Sequence, residues 1–182
     1  MHRASEGGHI KLARFPVKRR ADVTAQDKKR WTPLHWASDG GHIKLAQFLV
    51  EQGADATAQD EHGWTPLHRA SEGGRMELAQ FLVQHGADAK AQDENGWTPL
   101  HRASSLGHIK VARFLVENGA DVTARAKDGR TPLHWASKRG HTELAQFLVE
   151  RNADVTAAED GVRRHGHMGR SGAFERHRIK LV

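Results

Sequence analysis

The chain has fourteen histidines and no cysteine, which raises metal coordination first. Imidazole is a common metal ligand, but a site needs several ligands converging on one point. The spacing here works against convergence. His2, His35, His68, His101 and His134 recur at a stride of 33 residues, each after a leucine or methionine. His9, His42, His108 and His141 fill a second slot of the same stride, and Arg75 stands in its remaining place. Groups separated by a fixed stride are expected to hydrogen-bond backbone and neighbouring units. His165 and His167, two apart in "RRHGHM", form a pair with no supporting ligand. Neither a metal nor a cofactor is expected.

Catalytic chemistry meets the same objection. Asp55, Asp88, Asp121 and Asp154 share one slot, and Ser38, Ser71, Ser104 and Ser137 share another. An active site is a unique, asymmetric cluster, and residues present in every unit suit a framework better. No glycine-rich phosphate loop with a lysine follows a strand pattern. With no cysteine, thiolate and disulfide chemistry are also excluded. The chain is not expected to be an enzyme.

The elements that carry these slots follow from the period, which must be sought first in any such chain. Thr-Pro-Leu-His occurs at 32–35, 65–68, 98–101 and 131–134, and segments 31–63 and 64–96 agree at 24 of 33 positions. Thr32 suits a helix N-cap, and Pro33 suits the first helical position, where its missing N–H is harmless. A short helix through Leu34, His35 and Ala37 should end at Gly40-Gly41. A second helix, from about Ile43 to Gln52, carries Leu45, Ala46, Leu49 and Val50 on one stripe. Gly53 then offers a left-handed cap, and "ADATAQDEHG" reads as an extended, turn-forming connector. Neither helix can bury its apolar face alone, so adjacent units must stack.

The stride of 33, the Thr-Pro-Leu-His-x-Ala signature, the Gly41-His42 pair and "GADATA" (53–58) resemble the ankyrin repeat. The resemblance covers residues 1–158, as a truncated first unit (1–30) and four repeats at 31–63, 64–96, 97–129 and 130–158. It implies an all-α, L-shaped solenoid of stacked helix–turn–helix repeats with projecting hairpin loops, acting as a non-enzymatic scaffold. The expected partner is another protein, met by a monomer on the concave face of first helices and hairpins. Two slots resemble groove-facing positions: Trp36, Arg69, Arg102 and Trp135 in the first helix, and Trp64, Trp97 and Arg130 (with Trp31) at the hairpin. Tryptophan and arginine are enriched in interface hot spots, although these tryptophans could instead stiffen the stack by packing on the next hairpin. The hairpin tips Glu61-His62 and Glu94-Asn95 and the helix end Lys138-Arg139 differ most between units, as a surface for a non-repetitive partner would. So do Lys28-Lys29, Lys127-Asp128, Asp39, Glu72 and Ser105-Leu106.

The net charge of +6 is unevenly placed. Residues 1–30 hold nine Lys/Arg against three Asp/Glu, residues 31–158 thirteen against sixteen, and residues 159–182 six against three. The basic ends allow a second reading, electrostatic attachment to nucleic acid or an anionic surface. It is disfavoured because aromatic residues are nearly absent there. A third reading is a fragment of a longer array with no independent role. In 1–30, Pro16 takes the slot of Leu49, and Arg20 and Arg30 take slots that call for positive φ, so this unit is expected to be loosely held. The tail 159–182 loses the period and is expected to pack poorly. No apolar run is long enough for a membrane span, and the N-terminus lacks a secretory h-region. The expected compartment is the cytosol, with the nucleus as the alternative.

Overall fold

The structure is a computed structural model that describes residues 6–8 and 22–153. Pro16, Arg20 and the tail from 159 lie outside the described residues. Within them the chain forms four helix pairs: α1 (Pro33–Asp39) with α2 (Ile43–Glu51), α3 (Pro66–Glu72) with α4 (Met76–Gln84), α5 (Pro99–Leu106) with α6 (Ile109–Glu117), and α7 (Pro132–Lys138) with α8 (Thr142–Glu150). No strand occurs among the described residues.

Each first helix starts as its sequence dictates. Thr32, Thr65 and Thr98 sit in extended backbone, accept the amide of the residue three on, and are followed by proline. The histidine at that third position completes a capping box in place of the usual glutamate. The second helix ends at Glu51, one residue before the expected Gln52, which serves as its cap. Gly53 follows at φ 93°. Arg30 is left-handed, at φ 60°, in the slot where Gly63, Gly96 and Gly129 lie at 75–80°. Asn152 is likewise at φ 66°. A side chain with a Cβ is disfavoured in this region, more so for arginine than for asparagine.

One continuous core runs through the stack. Leu34, Leu67, Leu100 and Leu133 of the first helices meet Leu45, Leu49, Leu78, Leu82, Leu115, Leu144 and Leu148 of the second, all at most 3% exposed. Each such leucine contributes about 1.5–3 kcal/mol by leaving water. The small Ala37, Ala70, Ala103 and Ala136 let successive first helices approach closely. First helices contact one another more densely than second helices do, so they form the more closely packed layer of the stack.

Candidate functional site

The histidines of the first helices are structural pins. Nδ1 of His35 accepts from the Thr32 amide at 3.2 Å, and its Nε2–H donates to the Trp64 carbonyl of the next repeat at 2.9 Å. His68 repeats this with Thr65 and the Trp97 carbonyl, and His101 with Thr98 and the Arg130 carbonyl. With one nitrogen accepting and the other donating, the ring must be neutral. Burial pushes its pKa down further, to about 4 for His68 and His101, and downward for His35. The second slot works across the other end of the repeat. His108 and His141 donate from Nε2 to the carbonyls of Glu72 and Ser105, at 2.8 and 3.2 Å. His42 does the same to Glu6.

The repeated acids also have local roles. Asp55, Asp88 and Asp121 each accept the amide two residues on, the hydrogen bond of an Asx turn. Ser38, Ser71 and Ser104 are fully buried.

The hairpins form the projecting edge. Oδ1 of Asp60 accepts the amides of His62 and Trp64, and Asp93 does the same for Asn95 and Trp97. Successive hairpins are then joined by single backbone bonds: Glu61 to Lys29, Glu94 to His62, and Lys127 to Asn95. The tip residues therefore share a backbone ladder while their side chains point to solvent. His62 faces Glu94, with Nδ1 at 3.0 Å from its carboxylate.

The tryptophan and arginine slots come together in one row. The Arg69 guanidinium lies between the rings of Trp31 and Trp64, 4.1 and 3.9 Å from their centroids. Arg102 lies between Trp64 and Trp97 at 3.7 and 4.3 Å. The row is extended at one end by Trp36, packed on Trp31, and at the other by Trp135, packed on Trp97. Arg130 and Lys138 flank Trp135 at 5.2 and 5.3 Å.

Each central arginine is also anchored to its hairpin. Arg69 bonds Asp60 at 3.0 Å and Arg102 bonds Asp93 at 2.7 Å, with both carboxylates wholly buried. Burial raises the pKa of Asp60, but the amides of Trp64 and His62 together with Arg69 outweigh it and hold the carboxyl below its ordinary value. The arginine side chains keep only 14% and 17% exposure. Sequence reading did not foresee these pairs. No consistent signal marked them, because Trp135 stands with Ala126 in the aspartate slot while Trp36 stands with Asp27 there.

Of the residues expected to contact a partner, Trp36, Arg69, Arg102, Trp135, Trp64, Trp97 and Arg130 thus form a single half-buried row. Glu61, His62, Glu94 and Asn95 are exposed on the hairpin edge, and Lys138 and Arg139 are exposed at the far end of α7. No helix among the described residues is long and apolar enough to cross a membrane. None of the curated proteins matches the chain. The family model for ankyrin repeats (3 copies) matches residues 1–93, 53–126 and 87–159. With those matches spanning the whole helical stack, the chain belongs to the ankyrin repeat family.

Proposed function

We propose that this protein is a non-enzymatic scaffold that binds a partner protein on the concave face formed by its first helices and hairpins. Ankyrin repeats are in general protein–protein interaction modules. The observation that carries the reading is the fixed Trp/Arg row bordered by exposed side chains that differ from repeat to repeat. Stacking and ion pairing hold the row before any partner arrives, so little side-chain entropy is lost on binding. Trp36 and Trp135, at its two ends, are the aromatic anchors. Arg69, Arg102, Trp64 and Trp97 supply a stiff floor, and Glu61, His62, Glu94, Asn95, Arg130, Lys138 and Arg139 supply the polar selectivity around it.

Site-specific photocrosslinking in cells tests the assignment. A photoreactive residue at Glu61, Glu94 or Arg139 should trap a protein partner, while one at Glu51 or Glu117 on the second helices should not. Truncating Trp36 or Trp135 to alanine should then cost more than about 1 kcal/mol of binding. Crosslinks confined to the second-helix positions would place the interface elsewhere.

A further inference from the structure

The fourth repeat differs from the others in charge along its groove-side segment. Residues 125–140 carry five Lys/Arg against one Asp/Glu. The equivalent segments 59–74 and 92–107 carry one against three and one against two. Arg125, Lys127 and Arg130 lie on the hairpin before α7, and Lys138 and Arg139 at its C-terminal end. Arg130 sits at the hairpin end, where its carbonyl receives His101 and its guanidinium is ion-paired with Asp128 at 3.0 Å. Trp135 lies midway, and Lys138 and Arg139 lie exposed at the far corner. Seven helical residues span about 10 Å, so three or four residues of an extended chain run the same length.

An apolar contact stands beside this strip. The slot held by Gly40 and Gly73 in the earlier repeats is Leu106, which is 46% exposed. His141 bonds the Ser105 carbonyl at 3.2 Å, which brings the 138–141 corner against the end of α5 that bears Leu106. Ser137 is exposed, whereas Ser38, Ser71 and Ser104 in its slot are wholly covered.

We infer that the α7 strip is the docking site for an acidic partner segment, one that places carboxylates on Lys138 and Arg139 and an apolar side chain on Leu106 and Trp135. This rests on the concave-face reading and names the chemistry of its partner at one end. Charge complementarity selects the occupant, since the strip is basic while the two repeats before it are acidic along the same groove. A nucleic-acid strand tracking the groove would meet Glu61, Glu72 and Glu94 within one or two repeats. A short acidic peptide need not leave the strip.

The test uses the full-length protein and a fluorescein-labelled twelve-residue peptide of glutamates around a central Leu-Phe, titrated by anisotropy. The lysine counterpart of that peptide and a twelve-residue oligothymidylate serve as competing probes. The acidic peptide should bind, and more weakly as salt rises. The double variant Lys138→Glu/Arg139→Glu should weaken it by at least ~10-fold. The variant Lys28→Glu/Lys29→Glu, with the same charge change at the other end of the groove, should change it by less than ~2-fold. All four positions are exposed, and far-UV circular dichroism checks that both variants remain folded. No binding of the acidic peptide overturns the inference. So does equal weakening by both variants, which marks a bulk charge effect, or tighter binding of oligothymidylate, which marks a nucleic-acid site. Groove crosslinks that persist alongside any of these results leave the scaffold reading standing.

Discussion

Acidification from pH 7 to 5 should remove a large part of the folding stability, through histidines that never meet a ligand. His68 and His101 are held at a pKa of about 4 by burial, against 6.5 for an ordinary histidine. Between these values the unfolded chain binds a proton at each position and the folded chain does not, so stability falls as pH falls. The contribution is fully present above pH 6.5 and is lost progressively toward 4. The gap corresponds to about 3 kcal/mol per histidine at pH 4, and to about 2 kcal/mol each at pH 5. Two histidines thus remove about 4 kcal/mol at pH 5, from a total of about 5–15 kcal/mol for a typical domain. His35 is shifted in the same direction and adds to the loss. Asp60, lowered from its ordinary 3.8, loses its contribution only below this window and does not offset it. Denaturant unfolding followed by tryptophan fluorescence measures the effect directly. Near pH 5 the slope should approach two protons, about 2.7 kcal/mol per pH unit. Replacing His101 with glutamine should reduce that slope by about one proton. A midpoint unchanged from pH 7 to 5 would refute the neutral, carbonyl-bonded histidine on which the estimate rests.

Two further stability predictions follow from named contacts. Asp60→Ala strips the partner from a guanidinium at 14% exposure and leaves the His62 and Trp64 amides unpaired, so it should cost about 3–5 kcal/mol. Arg69→Met keeps both amide bonds to Asp60 and should cost less, and a double-mutant cycle should return a coupling above about 0.5 kcal/mol. Gly107→Ala should cost clearly more than Gly53→Ala, although both glycines have positive φ. A Cβ at 107 would lie 2.6 Å from the His141 ring, whereas at 53 it meets nothing within 4 Å. The second change should cost only about the 1–2 kcal/mol of left-handed backbone strain. Equal losses in chemical denaturation would show that the His141 ring moves aside freely.

The repeat made much of this protein legible. The Thr-Pro start, the glycine after each first helix and the 33-residue stride fix the eight helices among the described residues and their order, because caps and amphipathic stripes act over a few residues. The stride also led to the expectation that the repeated histidines bond the backbone of neighbouring repeats, and His35, His68, His101, His108 and His141 do. It placed Arg30 in a slot that calls for positive φ, and Arg30 is there.

What the stride could not decide is which side chains of different repeats touch. Trp31 and Arg69, or Arg102 and Trp64, lie more than thirty residues apart in the chain, and only stacking brings them within about 4 Å. The same stacking turns Asp60 from one more repeated acid into a buried counter-ion, and leaves Ser137 open where Ser38, Ser71 and Ser104 are closed. Local propensity sets which elements form. Their superposition in space decides which identical-looking residues become framework and which remain available to a partner.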